Sequence, residues 1–259
     1  MNQSRVSTLL SVTLLVALAA CQTPQSATLL SPTATPLSPT TLPTPSPDGL
    51  QIEIAADAQP ATRLSITETL DGSLASQGLM HALIIPSDLS TLYHEHPQAQ
   101  ATGQFVLDVP ALPAGEYDIW IEITTGSGHD NAVLKRFTMQ LQRILPSTDT
   151  PAAHVTLEPT EQDIQPPGAL SHLEFLIALD GKPVSRFGQF IGVEVHEFAV
   201  SADREWFVHD HAEPLGSGRV DAHYHFPKAG QYVIFLQPTV FTEANLEIRP
   251  MLRHTVTIP

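Results

Sequence analysis

Two stretches of this chain repeat one spacing of histidines, and an internal repeat fixes architecture before any local preference does. His94 follows His81 by thirteen residues and His96 comes two later; His209 follows His196 by thirteen and His211 comes two later. Nineteen residues beyond His96 stands Gly115, leading to Tyr117, and nineteen beyond His211 stands Gly230, leading to Tyr232. Asp71 and Gly72 answer to Asp180 and Gly181. The offset between the copies is six additional residues between Gly181 and His196, a stretch that includes Phe187, Phe190 and Ile191. The reading is two homologous domains, 49–144 and 153–259, joined by a short linker at 145–152.

Within each copy the apolar runs are short, rich in Val, Ile, Leu, Phe and Tyr, and bounded by Gly, Pro, Asp or Ser, as at 80–85, 117–123, 193–200 and 231–236. No window of eleven or more holds a 3.6-residue apolar stripe, so helices are not expected. Six or seven such runs in about a hundred residues suit an antiparallel β-sandwich. The Ala-Gly-x-Tyr sequence that opens a late strand, at 114–117 and 229–232, resembles immunoglobulin-like and fibronectin-like domains, in which a tyrosine there ties a corner to the backbone. The resemblance implies structural roles for Tyr117 and Tyr232. The fold class expected is all-β, two tandem immunoglobulin-like antiparallel sandwiches behind a disordered linker.

The amino terminus reads as an address. Residues 1–20 carry one positive charge at Arg5 and then an uncharged apolar run, 9–20, of signal-peptide length and too short to span a bilayer. Leu18, Ala19, Ala20 and Cys21 resemble the lipobox of bacterial lipoproteins, which implies lipidation of Cys21, the chain's single cysteine, and an extracytoplasmic protein anchored to a bacterial membrane. Lipidation also accounts for a lone cysteine in a secreted chain. From 21 to 48 the composition after Cys21 is almost entirely Ser, Thr, Pro, Ala, Gln and Leu, with seven prolines. Such a segment cannot bury enough surface to fold and is expected to act as an extended spacer. The net charge of −15 repels phosphate backbones, so no nucleic-acid partner is expected.

The histidines carry whatever chemistry the chain has. A tight hairpin centred between Ser87 and Asp88 would set His81 directly opposite His94, and one centred on Ala202 and Asp203 would set His196 opposite His209. Alternation then brings His96 and His211 to the same faces. Three imidazoles per copy would converge, a donor set suited to copper(II) or zinc. His223 and His225 add a second pair in the later copy, which is therefore expected to hold the tighter site. Leu79, Leu83, Ile85 and Leu92 share the face of His81, and on that account the competing reading of the histidines is as half-buried core-edge groups bonded to backbone. His129, His154, His172 and His254 fit no spacing. His94-Glu95-His96 lacks the spacing of a helical zinc protease motif, no nucleophile elbow or phosphate loop is present, and paired carboxylates are missing, so no enzyme is expected.

The repeat unit, with its apolar strand ending in His, its hairpin, His94-Glu95-His96-Pro97 and the strand from Pro113 to Tyr117, is similar to uncharacterised domains of bacterial secreted and membrane-anchored proteins. That resemblance implies heavy-metal handling. The expectation is a lipid-anchored binding protein that takes copper or zinc through His196, His209 and His211, with His223 and His225 nearby and His81, His94 and His96 as a weaker site. The competing reading is a surface module that binds protein or glycan, or an accessory subunit of a membrane complex, with structural histidines.

Overall fold

Strands of alternating apolar and polar residues dominate the computed structural model, which describes residues 40–41, 52–57, 61–68, 80–101, 103–124, 132–143 and 153–259. Cys21, most of the spacer, Asp71, Gly72, the linker 145–152 and His129 lie outside the described residues. All regular structure among the described residues is β, and no helix there is long and apolar enough to cross a membrane.

After a two-residue strand β1 (Thr40–Thr41), the first copy comprises β2 (Ile52–Ala56), β3 (Arg63–Glu68), β4 (Met80–Pro86), β5 (Tyr93–Glu95), β6 (Gln98–Ala101), β7 (Gln104–Asp108), β8 (Leu112–Thr124) and β9 (Ala132–Arg143). The second comprises β10 (Val155–Asp163), β11 (Leu170–Leu179), β12 (Lys182–Pro183), β13 (Val195–Ser201), β14 (Phe207–His211), β15 (Glu213–Gly216), β16 (Arg219–His225), β17 (Gly230–Pro238), β18 (Val240–Phe241), β19 (Glu247–Ile248) and β20 (Leu252–Ile258). Each copy pairs its strands alike. One sheet runs β2-β3-β7-β6 in the first copy and β10-β11-β16-β15 in the second; the other runs β5-β4-β8-β9 and β14-β13-β17-β20. β1 pairs β9 at the edge, and β18 pairs β19. These are two antiparallel sandwiches of immunoglobulin-like strand order. The tyrosine corner is present twice: the hydroxyl of Tyr117 donates to the Pro113 carbonyl at 2.9 Å and that of Tyr232 to the Lys228 carbonyl at 2.8 Å.

What the sequence did not suggest is how the copies meet. Residues 36–259 form one unit, in which the described residues build three apolar cores. Ile54, Ile66, Ile84 and Phe137 fill the first sandwich, and Phe175, Ile177, Tyr224 and Ile234 the second. A third core contains Leu83, Ile85, Leu92 and Trp120 from the first copy and Phe198, Val200, Phe207 and Phe235 from the second. The two sheets containing β4 and β13 therefore pack on each other through faces that a lone sandwich would turn to water. β4 is buried on both faces over residues 80–85 and β13 over its whole length, the mark of a strand that is covered on both sides. Trp120 stacks on Phe207 with ring centres 5.4 Å apart. Polar pairs from both copies border this layer: Arg204 on Asp118 at 2.9 Å, Arg136 on Glu205 at 3.1 Å, and the Arg253 guanidinium on the Leu89 carbonyl at 2.8 Å.

Candidate metal centre

Alternation along β4 sends Met80, Ala82 and Ile84 into the first sandwich and His81, Leu83 and Ile85 toward the second copy. β13 does the same with Val195 and Ala199 against His196, Phe198 and Val200. The register differs from the tight hairpins expected. Leu83 faces His94 and Ala82 faces Glu95, so His81 stands across from position 96; His196 faces His211, and Phe198 faces His209. The segments between the paired strands run over 87–92 and 202–206, where two-residue turns were expected. The Asp88 carboxylate accepts from the Ser90 amide and Asp203 from the Glu205 amide, local bonds that lengthen the turn, and Leu89 and Arg204 follow with φ of 53° and 61°. A shift of two residues preserves the face, so the histidines still converge.

They converge once, not twice. His81, His94 and His96 meet His196, His209 and His211 at the border of the shared core. Ring centres lie 4.8 Å apart for His81 and His209, 4.8 Å for His94 and His196, and 5.1 Å for His94 and His209. The expected division into a tight second site and a weak first one therefore gives way to a single cluster. Ring nitrogens of His81, His94 and His209 lie within 4.8 Å of one another, as do those of His196, His209 and His211. The first trio is buried; His211 is exposed.

Two residues that the spacing argument missed hold the rings. Glu122, buried on β8, faces His81 across the ladder, and Gln237 on β17 faces His196 in the matching place. The Glu122 carboxylate accepts from His209 Nδ1 at 2.6 Å and from His81 Nδ1 at 3.1 Å. Gln237 Oε1 accepts from His94 Nδ1 at 3.0 Å. Each thus reaches a histidine of the other copy. The signal was available: both follow their first histidine by 41 residues. An Nδ1–H held by a carboxylate or amide oxygen turns the Nε2 lone pair outward, the arrangement behind metal-ligating histidines. Nε2 of His94 and of His96 are buried without a hydrogen-bond partner.

His196 completes the picture. Its Nε2–H donates to the Phe190 carbonyl at 3.2 Å, and its Nδ1 stands 3.3 Å from Nε2 of His209. His209 Nδ1 meets the Glu122 carboxylate, so its Nε2 is the atom turned toward His196. Burial, with repulsion from His209, pushes His196 down to about 3. Burial and the neighbouring imidazoles hold His94 far below the ordinary histidine range and push His96 down to about 4. These three rings are neutral at neutral pH.

The insertion in the second copy covers the cluster. Phe190 packs edge-on against His96, His196 and His94 at 5.4, 5.8 and 6.1 Å, with the Arg249 guanidinium 3.9 Å above its ring. Phe190 and Val193 exchange backbone bonds of 2.8 and 3.0 Å around a two-residue turn. Ile191 sits in that turn at φ 51° beside Gly192 at 82°, and a β-branched residue there is strained.

His223 and His225 are not in the cluster. They lie on β16, in the other sheet of the second sandwich, where His225 Nδ1 meets the Gly168 carbonyl at 3.2 Å and His223 faces His172. His254 packs on Phe175 at 5.3 Å, and the backbone amide of His154 donates to Asp180 at 3.2 Å.

A family model described as a domain of unknown function (DUF8832) matches residues 148–250. No curated protein matches the chain. Among solved structures, the chain is similar to a protein of Corynebacterium diphtheriae described as membrane anchored, at 11% identity and a TM-score of 0.26, over 82% of this chain and 59% of that one. The chain therefore spans less than two thirds of that protein. It is also similar to the chicken interferon gamma receptor alpha chain, at 11% identity and a TM-score of 0.24 over 83% and 98% of the two chains. A DUF3823 family protein from Bacteroides uniformis matches at 10% identity and a TM-score of 0.24, over 70% and 89%.

Proposed function

We propose that this chain is an extracytoplasmic metal-binding protein, not an enzyme, held at a membrane by lipid on Cys21, that takes one copper(II) or zinc ion where its two sandwiches meet. His81, His94 and His209 are the inner ligands, and His96, His196 and His211 stand at the rim. The observation that carries the reading is the 3.3 Å approach of His196 Nδ1 to His209 Nε2. Nitrogens on one ion at 2.0–2.1 Å stand about 3.3 Å apart in a tetrahedron, the separation these two already have. Buried Nε2 atoms of His94 and His96 that lack a partner are costly in a folded protein and support the same reading. So does Glu122, whose charge offsets that of an ion and whose hydrogen bonds fix the tautomers of two ligands. Nitrogen donors without thiolate favour copper(II), then zinc, among divalent ions. The role is capture or delivery of the ion at the cell surface.

Calorimetric titration of Cu(II) and Zn(II) into the full chain tests this, with a His94→Ala/His209→Ala variant beside it and His96→Ala as a partly exposed change that leaves the shared core intact. Tight binding by the wild type, lost in the double variant and weakened in His96→Ala, is the expected result. Wild-type binding that both variants retain unchanged would refute the site.

A further inference from the structure

A second group of ligand-type residues lies on the outward face of the β10-β11-β16-β15 sheet, the face turned away from the shared core. Inward residues of β11 and β16, Leu173, Phe175, Ala222 and Tyr224, fill the second sandwich, so alternation turns His172, Asp221 and His223 outward. The ladder makes this a compact patch. His172 faces His223 directly, and Asp221 is two residues from His223 on the same strand. The imidazole centres are 4.6 Å apart. One oxygen of Asp221 accepts from His172 Nδ1 at 3.1 Å and from His223 Nε2 at 2.9 Å, and its other oxygen is buried without a partner. All three residues are half-buried, with ligand atoms within 4.8 Å of one another.

We propose that His172, Asp221 and His223 form a second, independent site for a divalent ion of borderline softness, zinc being the type. Two imidazole nitrogens and a carboxylate oxygen are a recurrent zinc donor set. Their separations of 3.1 and 2.9 Å already approach the about 3.3 Å that tetrahedral ligands at zinc distances require. An ion takes the place of the two hydrogen bonds to Asp221 Oδ2, and each neutral imidazole then carries its one N–H on the nitrogen turned away from the ion. The side chains are 45%, 19% and 35% exposed for His172, Asp221 and His223, and an open cleft lined also by Glu161, Asp163 and Glu174 lies beside them. Glu174 is committed to Arg219 through two bonds of 2.8 and 2.7 Å, so the fourth position falls to solvent. The site is open, in contrast to the cluster under Phe190, and exchanges its ion faster.

Equilibrium uptake of Zn(II) by the full chain, counted by metal analysis after removal of free ion, separates the two sites. The His172→Ala/His223→Ala variant, altered on a solvent face, is expected to fold and to bind one zinc ion fewer than the wild type, and Asp221→Asn to bind that ion more weakly. The same ion is expected to survive in the His94→Ala/His209→Ala variant. An ion lost with His172 and His223 sustains this site even if the inter-sandwich cluster binds nothing. Zinc uptake equal to the wild type in His172→Ala/His223→Ala overturns it.

Discussion

The two copies share strand order, hairpin loops, histidine triplets and tyrosine corners, and differ most where each reaches into the other. At the place on the late strand opposite the first histidine, one copy has Glu122 and the other Gln237. Glu122 holds two imidazoles and Gln237 one. A second carboxylate there would add another buried charge beside the first, at a cost of several kcal/mol unless an ion compensated it. The second difference is the Phe190 turn, in the stretch where the later copy has six additional residues. The two halves are thus asymmetric, with the buried carboxylate coming from one and the Phe190 cover from the other.

The largest expected effect tests whether the halves are one structure. Phe198 is fully buried in the shared core and stacks on His209 with centres 4.7 Å apart. Phe198→Ala is expected to cost about 3–5 kcal/mol in denaturant unfolding, with tryptophan fluorescence from Trp120 in the first copy and Trp206 in the second reporting the loss together. Separate transitions, with Trp120 unmoved, would break the comparison. Next comes the Glu122 asymmetry. Glu122→Gln is expected to weaken copper or zinc binding about 10–100-fold, measured by calorimetry, and Gln237→Ala to weaken it less; equal losses would make the two positions equivalent. The smallest effect is graded. His94, His96 and His196 have folded pKa values below their ordinary 6.5, so the unfolded chain takes up protons first as pH falls and stability of the metal-free protein falls with it. The loss begins below about pH 6.5, and for His96 ends near 4. Between pH 7 and 6 it is on the order of 0.7 kcal/mol for His94 and less for His96, which solvent reaches. Thermal melts across that range check the slope, and a stability that rises on acidification would contradict it.

Much of this was legible. Repeat spacing gave the strand equivalences, short β-rich runs gave the sandwiches, and Ala-Gly-x-Tyr located both corners. Face assignment of the six histidines survived a wrong register because the error was two residues, a whole period of the strand. The error itself came from turn chemistry: Asp88 and Asp203 bond two residues onward and widen the loop. The meeting of the triplets was beyond local reading, although its trace was in the sequence. Leu83 and Ile85 are apolar on the side of β4 opposite Met80, with Leu92 beyond the strand on the same side, and a strand apolar on both faces must be covered on both. His172 was passed over because its partner His223 is 51 residues away with no repeat to mark it.

The doubly covered strands also bear on the order in which the chain is made. Synthesis delivers the first sandwich before Phe198, Val200, Phe207 and Phe235 exist to cap it. Until they arrive, Leu83, Ile85, Leu92 and Trp120 offer a flat, greasy β-surface to any neighbour, the feature through which half-made chains associate wrongly. A chain halted in the linker would present that surface permanently. The risk of wrong association therefore peaks midway through synthesis of the chain, not at its end.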